Sequence, residues 1–235
     1  PNVTTHHCEY DEDKARESED LAYQLAIKAT TGSFVERGAA YRELDALTRL
    51  QTGVAKAVAV AEYVKILLDA DLPVLLSGWH REVYSIWLSE LKDYDPVMYT
   101  GSETKVRKRK AKEAFVKGDS NLMIISNRSG AGLDGLQLRC RDVVIGELDW
   151  SPMILKQLIG RLRRSGQSDV VNAHYMIANG GSDPLMVEVL GVKSSQAHGI
   201  MNPGVEPLAP VRDEERMKKL AALVLEKRKK MVEAA

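Results

Sequence analysis

The chain has little of several things, and each shortage removes a class of protein. There are two cysteines in 235 residues, Cys8 and Cys140. They are far apart and match no ligand spacing, so a disulfide framework is excluded and two free thiols in a reducing compartment are expected. His6, His7 and Cys8 stand together, but zinc needs about four ligands and no second pair follows, so no metal site is expected. No apolar run approaches the ~20 residues that span a bilayer, and no signal-peptide pattern is present. The expectation is a cytoplasmic protein with no membrane contact. Net charge is also lacking, with 33 basic against 33 acidic residues. A neutral total gives no global attraction to nucleic acid but leaves room for local patches. The chain begins at Pro1 rather than Met, as expected of a fragment or a processed product.

What is present suffices for a large core, since 44% of the residues are hydrophobic. Residues 9–20 are acidic and read as a solvated helix start. Ser33 and Glu36 have capping-box spacing, which opens a second helix. A third is expected from Ala55 to Ala70 on the apolar positions Val58, Ala61, Val64, Ile66, Leu67 and Leu68. The first 70 residues therefore read as helical, with no strand. Short apolar runs follow at 72–77, 96–100, 121–126, 141–146 and 170–178, with helical stretches between them. That alternation predicts a parallel α/β sheet. Ser151 and Pro152 are a helix start, with an N-cap serine and proline at the first helical position. Three prolines between Gly199 and Pro210 read as a linker, and a charged amphipathic helix runs on from Arg212.

Two segments carry chemistry. Ser126 to Gln137 reads SNRSGAGLDGLQ, so Gly130, Gly132 and Gly135 follow a strand with G-x-G-x-x-G spacing. Glu147 then falls where a dinucleotide-binding fold places its ribose acid. The spacing argues against that reading, because only residues 136–140 separate Gly135 from the next strand, and a parallel crossover needs a dozen or more residues. Glycines after a strand also let the backbone approach a phosphate or ribose. The alternative is a tight turn with no ligand. In QLIGRLRRSGQ, Gln157, Arg161 and Arg164 recur at i, i+4, i+7 and share one helix face. Guanidinium forks suit phosphate oxygens. The same stripe also fits a solvated basic helix end. Lys105, Arg107, Lys108, Arg109, Lys110 and Lys112 crowd another helix. They form either a sequence-independent phosphate footprint or a solvated face. Trp79, Trp87 and Trp150 are expected in the core or an interface, and His174 as a satisfied core histidine.

These segments together resemble one family. GELDWSPMILKQLIGRLRRSGQ, residues 146–167, is similar to motif VI and its lead-in in Swi/Snf-type superfamily-two helicases, nearest the branch of annealing helicases and their phage and bacterial relatives. SNRSGAGLDGLQ stands in the place of motif V, and VLLSGWH (74–80) in that of motif IV. YTGSETKVRKRKAKEAF (99–115) and TGVAKAVAVAEYV (52–64) match further segments. The resemblance covers about Gln51 to Leu190. Asn127 stands where the family has threonine, Arg163 where it has histidine, and the glycine pattern is shifted.

The resemblance implies a RecA-like parallel sheet sandwiched by helices. A helical extension would occupy 1–50, the lobe 51–195, and a linker with a C-terminal helix 196–235. It implies that Arg161 and Arg164 reach the phosphates of an ATP bound with Mg2+ on a separate N-terminal lobe. Gln157, Gln167, Gly130, Gly132 and Asp134 would line that cleft. Ser77, Gly101, Ser102, Ser126, Asn127 and Arg128 would lie along a DNA strand, expected to be double-stranded DNA, with Lys105, Lys108 and Lys110 nearby. A P-loop is absent: Gly191 to Ser194 lacks the Gly-Lys pair, and Asp11 to Lys14 follows no apolar strand. The chain alone is therefore expected to hydrolyse no ATP. The alternative function is a free-standing module that binds nucleic acid or docks on an ATPase without catalysis.

Overall fold

The computed structural model describes residues 1–128, 133–190 and 213–233. Six strands form one sheet: β1 (Asn2–Cys8), β2 (Val74–Gly78), β3 (Val97–Tyr99), β4 (Leu122–Ser126), β5 (Asp142–Ile145) and β6 (Asn172–Ala178). Their order is β1-β6-β5-β2-β4-β3, and every neighbouring pair is parallel. β2, β4 and β5 are buried at every position, which is why they read as unbroken apolar runs. All five strands expected from the sequence are present.

β1 corrects the reading of a strand-free N-terminus. It pairs with β6 along its whole length, from Asn2 beside Asn172 to Cys8 beside Ala178. As an edge strand it is partly exposed, so NVTTHHC needs no apolar run and gave no hydrophobic signal.

Eight helices are described: α1 (Glu12–Arg16), α2 (Glu19–Thr31), α3 (Phe34–Asp69), α4 (Arg81–Glu90), α5 (Lys105–Lys117), α6 (Pro152–Leu162), α7 (Asp183–Leu190) and α8 (Asp213–Glu233). The capping box at Ser33 is formed, with the Ser33 N–H donating to the Glu36 carboxylate at 2.9 Å. The two helices expected after it are one helix of 36 residues. No proline interrupts residues 34–69, and a position such as residue 50 lies inside the helix. α5 starts on Thr104, whose Oγ1 accepts the Arg107 N–H, and stops at Gly118, where φ is +90°. α6 starts at Pro152 as expected but ends at Leu162, before Ser165.

Alternate strand residues divide the core. Leu75, Met123, Ile125, Val143, Ile145, Ala173 and Tyr175 face α2, the first half of α3, α6 and α8. Val74, Leu76, Leu122, Ile124 and Val144 face the second half of α3 and α4. α3 thus serves both layers. A fully buried Leu or Ile contributes about 1.5–3 kcal/mol, so these two layers fix the sheet and its carboxyl-end loops. The expected linker at 199–210 lies outside the described residues.

Candidate functional site

The carboxyl ends of β2, β4 and β5 are tied together at Glu147. This residue is 4% exposed. Oε2 accepts the backbone N–H groups of Trp79 (2.6 Å) and His80 (3.0 Å), and Oε1 lies 2.6 Å from His80 Nδ1. Its backbone carbonyl accepts from Asn127 Nδ2 at 3.0 Å, while the Asn127 N–H donates to Gly78 O at 2.8 Å. Beneath this knot the Trp87 indole fills the space left by two glycines: a Cβ on Gly78 would come within 2.7 Å of the ring, and one on Gly146 within 2.5 Å. Glu147 is therefore occupied by its own chain, and no ribose could share it. The β4-to-β5 connection carries a 3-10 turn at Leu136–Leu138, and its two strands are separated by β2. Both observations count against a dinucleotide fold.

Three of the residues expected along the DNA strand are buried. Ser77 is fully buried within β2, and its hydroxyl has no hydrogen-bond partner among the described residues. Ser126 and Asn127 are 9% and 2% exposed. Ser77 and Asn127 support the edge from inside, because each points into packed structure rather than outward. What reaches solvent here is Arg128. It pairs with Asp149 at 3.4 Å and lies over the Trp79 ring at 4.8 Å from the centroid. Asp149 is buried, also lies 4.0 Å from Arg49, and accepts the Ser151 N–H at 2.9 Å. Trp79 is 36% exposed, while Trp87 and Trp150 are buried in the core, the first of the two alternatives expected for these residues.

Gly101 and Ser102 are exposed just beyond the carboxyl end of β3, one strand outward from β4. Lys105 and Lys110 are exposed on α5, and Lys108 is half-buried with its ammonium 5.4 Å from the Tyr99 ring centroid. Gly101 and Ser102 thus follow β3 as Arg128 follows β4, the neighbouring strand.

α6 buries Leu155, Leu158, Ile159 and Leu162 and exposes Gln157. Arg161 is half-buried. Burial lowers its pKa from the ordinary value, and the Tyr99 phenol acts in the opposite sense. Arg164 forms an ion pair with Asp134, which stands between Gly132 and Gly135 in the sequence. Both side chains are open to water, at 44% and 73% exposure. Gln167 is held by its own chain. Its Nε2 donates to Cys140 O (2.9 Å) and Leu162 O (3.3 Å), and its Oε1 accepts the Asp169 N–H (3.1 Å). It fastens the end of α6 beside the start of β5 and has little left for a ligand. Gly130 and Gly132 lie outside the described residues.

Two further polar clusters were not foreseen. Lys56, 1% exposed, donates to Asp183 Oδ2 at 2.6 Å and to Met176 O at 2.7 Å. His174 is a buried, satisfied histidine as expected, 3.2 Å from Asp142 Oδ1, and it meets Tyr63 Oη at 3.0 Å and His6 Nε2 at 3.3 Å. No local sequence pattern announces either cluster, because the partners lie far apart in the chain. Cys8 and Cys140 are buried free thiols. Burial pushes both upward, Cys140 to about 12. Among the described residues no group of three or more His, Cys, Asp or Glu could hold a metal ion, and no helix is long and apolar enough to cross a membrane.

A six-stranded parallel sheet between helical layers, with an arginine helix after β5, defines a RecA-like lobe. The comparisons agree with this class. The C-terminal part of the Fun30 ATPase domain superposes with a TM-score of 0.66 at 13% identity, over 97% of this chain and 98% of that one. The Sulfolobus solfataricus SWI2/SNF2 ATPase core in complex with dsDNA gives 0.69 at 16% identity, over 96% of this chain and 49% of that one. In sequence, the mouse DNA annealing helicase and endonuclease ZRANB3 is 30% identical over 203 residues, which is 80% of this chain and 19% of that protein. No protein-family model matches. The chain belongs to the Swi/Snf-type superfamily-two helicases, as a C-terminal RecA-like lobe. It spans about a fifth of the length of that curated relative.

Proposed function

We propose that the chain is the C-terminal motor lobe of an ATP-dependent DNA translocase. One observation carries the reading: the Arg164 guanidinium, just past the C-terminal end of α6, is paired with the carboxylate of Asp134 at the foot of the glycine turn. That guanidinium already accepts an anionic oxygen as its partner, and a phosphoryl oxygen is chemically equivalent. Surface pairs of this exposure are worth about 0–1 kcal/mol, so a more highly charged phosphate can displace Asp134.

ATP with Mg2+ supplies the phosphoryl group whose transfer drives the cycle. It would be held by an N-terminal RecA-like lobe carrying a P-loop, which this sequence lacks. The role of this chain is to bring Arg161 and Arg164 to the developing negative charge, with Gln157 on the same face of α6 as Arg161. The chain would be inactive as an ATPase by itself. Gly101, Ser102, Arg128 and the α5 lysines would hold the DNA strand along the carboxyl edge while the cleft opens and closes. The relation to a structure solved with dsDNA supports DNA as the partner. Turnover by the longer protein that carries both lobes tests the reading. Arg161→Ala and Arg164→Ala should each abolish most of it, and near-unchanged rates in both would refute it.

A further inference from the structure

We infer that Trp79 is a stacking contact for an unpaired nucleotide, with Arg128 covering part of its ring. The inference rests on the nucleic-acid reading above and deepens it.

Three observations converge on this loop. First, Trp79 is the exposed tryptophan. It is 36% exposed, against 0% for Trp87 and 8% for Trp150. Second, the ring does not stand alone. The Arg128 guanidinium carbon lies 4.8 Å from the ring centroid, and Asp149 anchors Arg128 at 3.4 Å. Third, the backbone that presents the indole is fixed by a buried group. Glu147 takes the N–H groups of both Trp79 and His80 on one oxygen, at 2.6 and 3.0 Å. A half-exposed aromatic on a pre-ordered backbone loses little freedom when it binds.

The chemistry selects the ligand. An indole face paired with a guanidinium suits the π-face of a nucleobase, and such stacking tolerates any base. The guanidinium adds a donor for the adjoining phosphate. Bases inside a duplex are already stacked on their neighbours and offer no face. The ligand is therefore a nucleotide in a single strand or at a junction.

The test uses the 235-residue chain with oligo(dT) and with a duplex of equal length. Since Trp87 and Trp150 are buried, oligo(dT) should quench the emission of Trp79. Trp79→Leu should remove the quench and weaken oligo(dT) binding about tenfold or more, the order of one base–aromatic stack. The salt dependence should stay unchanged, because no phosphate contact is lost. Trp79→Tyr should keep most of the affinity, and a thermal melt confirms that each variant folds. Oligo(dT) binding that neither quenches tryptophan nor responds to Trp79→Leu overturns the inference and makes Trp79 a protein contact. Binding of duplex without oligo(dT) also overturns it while leaving the DNA-tracking reading in place. Absence of binding to both overturns the two together.

Discussion

Arg164 and Asp134 form an exposed ion pair between the end of α6 and the turn that follows β4. The arginine proposed to meet a phosphate is thus parked on a carboxylate, and the two predictions for this pair have opposite signs. Removing the guanidinium with Arg164→Ala, or its neighbour with Arg161→Ala, should cut ATP turnover of the two-lobe protein by about 10³-fold or more. Neither change should lower the melting temperature by more than a degree or two, since Arg164 is exposed and Arg161 only half-buried. Removing the parking place with Asp134→Asn should leave turnover intact or raise it. If Asp134→Asn were as inactive as Arg164→Ala, the pair would be acting as a unit, and the carboxylate could no longer be treated as a stand-in for phosphate.

Lys56 and Asp183 give a stability prediction. Both are almost wholly buried, and the pair joins α3 to the start of α7. Asp183 Oδ2 also accepts the Ala178 N–H at 2.9 Å. Lys56→Ala leaves that carboxylate buried without its cation and should cost about 3–5 kcal/mol. Lys56→Met combined with Asp183→Asn should recover much of the loss, because the apolar stem is kept and no bare charge remains. Urea unfolding of the unchanged chain and the two variants measures the difference. A Lys56→Ala cost below about 1 kcal/mol would show that water reaches the carboxylate.

Much of the fold was legible because its central strands are buried on both faces. β2, β4 and β5 announce themselves by apolar runs, and the starts of α3, α5 and α6 by Ser33, Thr104 and Ser151. β1 was not legible, since an edge strand of Thr and His has no such run. The site was legible only in part. Motif spacing put Gln157 and Arg161 on one helix face, but it carried the helix on to Arg164, which lies beyond the end of α6 at Leu162. It could not show that Ser77 and Asn127 point inward, or that Gln167 is spent on Cys140 and Leu162. Nor could it show the Glu147 knot, whose donors lie 67 and 68 residues away in the chain. Spacing reports which residues share a face of one element; which face is covered depends on the other elements.

The cluster between β1, β6, β5 and α3 should make stability pH-dependent. Burial, and then the neighbouring His174, lower the His6 pKa from its ordinary value near 6.5. The folded protein therefore binds fewer protons at this site than the unfolded chain in the range just below pH 6.5. Stability from His6 is complete above that point and is lost as pH falls through the lowered value. For Asp142, burial alone would raise the carboxyl, but hydrogen bonds from His174 and Asn172 bring it below its ordinary value. Its contribution is present above pH ~4 and is lost only in stronger acid. Melting temperature should thus decline between pH 7 and 5 and decline again below 4. His6→Phe should flatten the first decline and leave the second. A first decline of equal size in His6→Phe would place its origin elsewhere.

The α5 lysines should govern the salt dependence of nucleic-acid binding more than its selectivity. Lys110 is exposed and the half-buried Lys108 lies over Tyr99, so both put charge on the surface of α5. Each phosphate neutralised adds about 0.9 to the slope of log K against log salt on duplex DNA. Lys108→Ala with Lys110→Ala should therefore flatten that slope by up to about 2 and weaken binding alike on all sequences. Glu113 is the internal control, since it lies 3.8 Å from Arg109 on the same helix. Glu113→Gln releases that arginine and should steepen the slope rather than flatten it. A slope unchanged in both variants would mean that α5 faces solvent throughout. The footprint would then have to come from the loops at the carboxyl ends of β2, β3 and β4 alone.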